Sequence, residues 1–165
     1  MSSLAAENEA INLSQGFPNF DCSKKLVAEV TKAMKAGHNQ YAPMSGIPSL
    51  RQSIAQKTEE LYGAKYDPDT EITVVPGGTI GLYAAISALV KEGDEVVIIE
   101  PAYDSYVPAI EINGGRPIRV ELSYPNFEID WDELKKIINF RTRMIILNSP
   151  HNPSGTVISE EGIEQ

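Results

Sequence analysis

Four short apolar runs in this chain each stop at residues that end or redirect a strand, and helical periodicity fills the intervals between them. Ile72-Thr73-Val74-Val75 runs into Pro76-Gly77-Gly78, Glu95 to Ile99 into Glu100-Pro101, and Met144 to Leu147 into Asn148-Ser149-Pro150. Pro117 to Leu122 is the remaining run. Their length and β-branched content predict strands. Between and before them, apolar residues recur at helical spacing. Lys24 to Ala36 places Leu26, Val27, Val30, Ala33 and Met34 on one stripe, with Ser23 as a cap and Gly37 as a stop. Leu50 to Tyr62 opens near Pro48-Ser49 and closes at Gly63. Thr79 to Val90 is small and apolar enough to predict a largely buried helix. Asp104 to Ile112 predicts a helix broken by Pro108, and Trp131 to Phe140 predicts another. Strands alternating with helices predict an α/β chain: a three-layer α/β/α arrangement around a mostly parallel sheet. Met144 to Leu147, apolar on both sides, is expected inside such a sheet.

Composition narrows the function. With 165 residues and 42% hydrophobic content, the chain suits one globular domain with a real core. A formal net charge of −9, spread through the helices, argues against nucleic acid or an anionic membrane as the main partner. Cys22 is the only cysteine, so no intrachain disulfide can form. The start, MSSLAAENEAINLSQGF, has no signal-peptide pattern, and no apolar run is long enough to span a bilayer; a cytoplasmic protein is expected. His38 and His151 stand apart from any metal-ligand spacing, and Glu59-Glu60 and Glu160-Glu161 are expected to be solvated helix faces.

In open α/β sheets ligands collect at the carboxyl ends of the strands, and three loops there carry chemistry. VVPGGTIGL, residues 74 to 82, brings two glycines, the Thr79 hydroxyl and a helix N-terminus together, which is a phosphate cradle. Alone, Gly-Gly-Thr is more often an ordinary tight turn. It lacks the lysine of a P-loop, although Glu100 at the next strand end keeps a dinucleotide site open. EPAYDSY, residues 100 to 106, offers Tyr103 as an aromatic face for a flat heterocycle, or Tyr103 and Tyr106 as caps on the core. SPHNPSG, residues 149 to 155, presents Asn152 between two prolines that hold its backbone. Ser149-Pro150 and Asn152-Pro153 are both candidates for a cis bond.

Taken together, INLSQGFPNF, QYAPMSGIPSLR, VVPGGTIGLYAAISALVKEGDEVVIIEPAYDSY and ILNSPHNPSG closely resemble the class I/II aminotransferases, pyridoxal-phosphate enzymes of fold type I. The resemblance runs through essentially the whole chain, and EPAYDSYVPAIEINGG and NSPHNPSGTV are most similar to the branch containing methionine and kynurenine–oxoglutarate aminotransferases. It implies roles residue by residue. Gly77, Gly78 and Thr79 resemble the family's phosphate-binding turn, and Tyr103 the aromatic residue stacked on the pyridine ring. Asn152 resembles the asparagine that hydrogen-bonds the cofactor's phenolic oxygen. Tyr41, in NQYAPMSG, resembles the tyrosine that reaches across a homodimer interface to the neighbouring subunit's phosphate. Gly16, in SQGFP, resembles the residue whose backbone lies against the substrate carboxylate. The implied substrates are an amino acid, of methionine or aromatic type, and a 2-oxo acid.

The family's chemistry also needs a lysine that binds pyridoxal 5'-phosphate covalently and shuttles a proton. No lysine here stands in the matching context, so the resemblance implies an amino-terminal portion, inactive by itself. Residues 1–37 are then an N-terminal arm and first helix, residues 38–165 part of the cofactor-binding large domain, and the C-terminal small domain is absent. The alternatives carried forward are a pyridoxal-phosphate-dependent C–S β-lyase and a phosphate- or nucleotide-binding α/β module without transamination. An unpartnered Met144–Leu147 strand favours association. Light scattering on the isolated chain is expected to report an oligomer, or a complex with the missing portion; a stable monomer counts against this.

Overall fold

A computed structural model describes every residue except Gln15 and Phe17. The chain divides into two compact units, Met1–Met44 and Ser45–Gln165. The first holds helices α1 (Ser2–Glu7) and α2 (Lys24–Lys35). Helix α2 forms where expected, with Gly37 following at φ +89°; Ser23 occupies the N-cap position, but its side chain makes no capping hydrogen bond. Its stripe of Leu26, Val27, Val30 and Met34 is roughly half exposed, so the periodicity specified a helix without specifying its cover. The polar start gave no signal for α1.

The second unit contains α3 (Pro48–Tyr62), α4 (Gly78–Leu89), β1 (Glu95–Glu100), α5 (Tyr106–Ile112), β2 (Arg116–Glu121), α6 (Trp131–Ile137), β3 (Thr142–Ile146) and α7 (Glu160–Glu164). The described sheet has the order β2-β1-β3, with both pairings parallel. Side chains alternate across β1, so Val96 and Ile98 meet Ile86 of α4 and Ile110 of α5. Val97 and Ile99 instead meet Val120 of β2 and Leu134 of α6. Helices therefore cover both faces of β1, the expected α/β/α layering. Among the described residues, no helix is long and apolar enough to cross a membrane.

Several local expectations are corrected. Ile72–Val75 joins no ladder among the described residues; its Val74 N–H donates instead to the Ser45 carbonyl at 3.0 Å. Apolar, β-branched composition favours extended backbone, but a strand also needs a neighbour. The turn before this segment is tied down by Arg51, which is buried at 6% exposure and pairs with Asp69 at 3.0 Å. The same guanidinium donates to the carbonyls of Gly46 and Pro68. Gly46 has φ +99°, and a Cβ there would lie 2.7 Å from the Val74 side chain, so only glycine lets these segments approach.

Pro108 does not break α5. It is the third helical residue, where an N–H would have no intrahelical acceptor, so none is lost. Pro117 sits within β2 because that strand is an edge. The Arg116 N–H donates to Asp94, just before β1, and the Leu122 N–H to Glu100 at its end, and alternation turns the Pro117 nitrogen outward. Helix α6 stops at Ile137, short of Phe140, because Ile138 is extended and the Asn139 N–H donates to Thr142 Oγ1. Helix α4 is not largely buried: Ile86 alone of its residues is, while Ile80, Tyr83 and Leu89 are nearly half exposed. Strand β3 pairs only with β1 in the described sheet, and its Ile145 and the following Leu147 remain exposed. Two-sided apolarity marked the strand correctly, but β3 lies at an edge of the described sheet rather than inside it.

At the foot of β1, Glu95 is 3% exposed and accepts from Asn139 Nδ2 at 2.8 Å and Arg141 Nε at 2.9 Å, with Arg116 3.9 Å away. The Asn139 hydrogen bond, aided by Arg141, holds the carboxyl below its ordinary range despite burial. A depressed carboxyl stabilises the fold above its unfolded pKa, and that stability is lost as pH falls through the folded value. Glu95→Gln is expected to lower the unfolding temperature at neutral pH and to flatten its decline in acid. Thermal melts across the acid range test this, and parallel curves for the two proteins would contradict it.

Candidate active site

Helix α4 runs against the strands. Arg143 Nε, in β3, donates to the Leu89 carbonyl at 2.9 Å, fixing the helix C-terminus at the strands' amino ends. The first turn of α4 therefore lies toward their carboxyl ends, beside the loop that follows β1. Gly77 caps the helix at φ +100° and ψ 157°, a conformation that side chains disfavour. Its N–H turns back to the Val75 carbonyl at 2.8 Å, and the Gly81 N–H is the first to close onto the helix, at Gly77. The N–H groups of Gly78, Thr79 and Ile80 thus precede the helical ladder and have no acceptor within it. No atom lies within 4 Å of a Cβ built on Gly77 or Gly78, so the approach to these donors is open. Three convergent N–H groups, a hydroxyl and the positive end of a twelve-residue helix suit a phosphate.

Tyr103 joins this turn directly: its hydroxyl lies 3.2 Å from Thr79 Oγ1. The ring is half-buried, packs on the α4–α5 core, and meets Tyr106 edge to face with centroids 5.7 Å apart. The packing reading holds: Tyr106 is core, while Tyr103 leans on that core and keeps its hydroxyl at the first turn of α4. Hydroxyls able to donate to the phenolate, Thr79 first and then Ser105, hold the Tyr103 pKa below the ordinary tyrosine value, against burial and the Asp104 carboxylate. Burial pushes Tyr106 the other way.

Asn152 lies on the loop after β3, and since β3 is parallel to β1, this loop opens at the same end of the sheet. Asn152 is exposed, and its side-chain amide has no hydrogen-bond partner among the described residues. Ser149-Pro150 and Asn152-Pro153 are both cis. His151 is buried beside it, its Nδ1 2.7 Å from Ser154 Oγ, which lies 2.8 Å from Thr156 Oγ1. From the sequence alone, His151 is weighed only as a metal ligand and Ser154 and Thr156 are passed over, because no local pattern specifies their partners. Tyr41 and Gly16 belong to the first unit. Tyr41 is fully exposed, and no described atom beyond its chain neighbours lies within 4 Å of a Cβ built on Gly16.

The larger cleft, about 480 Å³, opens on the α6 face of the sheet, among Leu122, Trp131, Leu147, Asn148 and His151. Neither Thr79 nor Tyr103 lines it. A shallower hollow of about 400 Å³ borders Thr79, Asp104 and Ser105. No group of acidic, histidine or cysteine side chains among the described residues could hold a metal ion.

A parallel α/β sheet with an open glycine turn and an aromatic ring at its carboxyl end defines a class of α/β domain that gathers ligands at that end. The family profile described as aminotransferase class I and II matches residues 8–165, and the chain belongs to that family. It is 54% identical over 157 residues to methionine aminotransferase of Escherichia coli K12, covering 95% of this chain and 41% of that protein. It is 38% identical over 174 residues to human kynurenine–oxoglutarate transaminase 1, covering 98% of this chain and 41% of that protein. The solved structure of E. coli YbdL, reported with a methionine aminotransferase function, superposes with a TM-score of 0.94 at 51% identity, over 99% of this chain and 43% of that one. The chain thus spans about 41% of the length of these curated relatives. The family as a whole implies pyridoxal phosphate.

In protein carrying ring-labelled tyrosine, Tyr103 is expected to titrate below the ordinary tyrosine range and Tyr106 above it. Thr79→Val should move Tyr103 upward and leave Tyr106 in place. An unmoved Tyr103 resonance would show that the Thr79 contact does not govern the ring.

Proposed function

We propose that the protein carrying this segment is an aminotransferase, moving an amino group from an amino acid to a 2-oxo acid through pyridoxal 5'-phosphate. The observation that carries the reading is the Thr79–Tyr103 contact at the open first turn of α4, in a chain belonging to the class I and II family. The donor set fits the cofactor group by group. The N–H groups of Gly78, Thr79 and Ile80 and the Thr79 hydroxyl suit a phosphate dianion, and Gly77 sets the turn that exposes them. The flat face of Tyr103 suits a pyridine ring. Asn152, with an amide donor to spare, suits an ionised phenolic oxygen.

Bound pyridoxal phosphate supplies an electron sink for ionisation at the substrate's Cα. The chain's own residues hold its ends. The α4 turn fixes the phosphate, Tyr103 the ring plane and Asn152 the charge at the phenolic oxygen. Gly16 contributes backbone against the substrate carboxylate, and the exposed Tyr41 reaches the phosphate of a second subunit in a homodimer. In this reading residues 1–37 form an arm and first helix, and residues 38–165 part of the large domain. The covalent lysine and a small domain lie in the remainder of the polypeptide, so this segment alone is inactive. Similarity to the E. coli and human enzymes supports a methionine-type or aromatic amino donor. A cytoplasmic location belongs to the same proposal.

The test uses the full-length protein. Pyridoxal phosphate should give a chromophore that borohydride fixes to a lysine outside residues 1–165, and methionine with a 2-oxo acid should exchange amino group for oxo group. Gly77→Ala strains the turn by about 1–3 kcal/mol, so cofactor affinity should fall roughly tenfold or more. Pyruvate and ammonia as products would make the protein a β-lyase. Nucleotide affinity without a chromophore would make it a phosphate-binding module.

A further inference from the structure

The Asn152 loop is closed on itself by a part-buried hydrogen-bonded chain that the proposed chemistry does not use. Two backbone bonds bracket it: the His151 N–H donates to the Thr156 carbonyl, and the Gly155 N–H to the His151 carbonyl, each at 2.7 Å. Across the loop, His151 Nδ1, Ser154 Oγ and Thr156 Oγ1 form a line with spacings of 2.7 and 2.8 Å. The Thr156 N–H also points at Ser154 Oγ, at 3.4 Å. His151 is 7% exposed, whereas Asn152, the next residue, stands out in solvent. The loop is therefore a small ring anchored from inside, with Asn152 projecting from it.

Counting donors and acceptors shows what the chain can do. A serine hydroxyl has one proton and two lone pairs. With the Thr156 N–H occupying one lone pair, Ser154 must donate to one of His151 and Thr156 and accept from the other. If His151 Nδ1 is bare, Ser154 donates to it and Thr156 donates to Ser154. If Nδ1 carries a proton, both directions reverse. Both arrangements keep the three side chains linked, so the anchor persists in either imidazole tautomer. Removing the ring nitrogen or the serine oxygen breaks the line and costs part-buried polar groups a partner, and the loop has reason to rearrange.

We propose that His151 and Ser154 are positioning residues, whose hydrogen-bonded chain to Thr156 holds the loop so that the Asn152 amide is aimed at the cofactor's phenolic oxygen. This rests on the cofactor reading of Asn152 given above. Neither residue touches the cofactor; each acts through Asn152.

The test is made on the full-length protein loaded with pyridoxal phosphate. Two quantities are measured: the pH at which the bound cofactor changes colour, and the cofactor dissociation constant. Asn152→Ala serves as the reference. His151→Leu and Ser154→Ala should move the colour midpoint in the same direction as Asn152→Ala, by a smaller amount, and weaken cofactor binding severalfold. His151→Asn, which keeps a polar group near the Nδ1 position, and Ser154→Thr, which keeps the hydroxyl, should restore both. The double variant His151→Leu/Ser154→Ala should be no worse than either single one, since both break one chain. Unfolding temperatures of the cofactor-free proteins separate a general loss of stability, which would not move the colour midpoint. If His151→Leu does not fold, Ser154→Ala answers the same question with a smaller change. A midpoint that moves with Asn152→Ala but not with His151→Leu or Ser154→Ala overturns the inference alone. A midpoint unmoved by Asn152→Ala removes the cofactor reading of that residue, and the inference with it.

Discussion

Strand β1 is paired on both edges and covered on both faces, and the second unit is arranged around meeting its demands. Val96, Val97 and Ile98 have no exposed surface, so the strand's backbone groups cannot turn to water and must bond to neighbours. Parallel β2 and β3 supply those bonds. Parallel pairing in turn requires each connection to cross from one end of the sheet to the other, and α5 and α6 make those crossings. One consequence is functional. The loops after β1 and β3 open at the same end, where α4 also begins.

Glu95 reinforces this arrangement at the opposite end. Its carboxylate gathers Arg116 from β2, Arg141 from the approach to β3, and the Asn139 amide beyond α6. A buried charge is tolerated there because it is multiply paired. The polar clamp fixes where the three strands start, and the apolar layers fix how they stack. With the strand starts held, the carboxyl-end loops inherit a defined frame, and Thr79 and Tyr103 can meet through a single hydrogen bond across 24 positions of sequence.

Much of this was legible in the sequence, and the failures have particular causes. Helices α2 and α3 were readable because apolar spacing and the glycines at 37 and 63 are local signals. Ile72–Val75 was misread because extended preference is local while pairing is not. Pro108 was misread because the same residue that breaks a helix interior is harmless in its first turn. Gly77, Gly78, Thr79, Tyr103 and Asn152 were candidates from motif and residue chemistry alone. Ser154 and Thr156 were not, because a hydroxyl's importance depends on which buried atom it meets.

The sequence by itself determined the alternation of helices and strands from α4 to β3, the glycine turn at Gly77 and the family, since each is written in adjacent residues. Only the tertiary structure decided that Tyr103 meets Thr79, that Glu95 is clamped by Arg141 and Asn139, and that His151 is buried against Ser154. The physical reason is that burial and hydrogen-bond partnership are properties of position in space. A titratable or polar side chain acquires its role only when the fold removes water from it and supplies a partner.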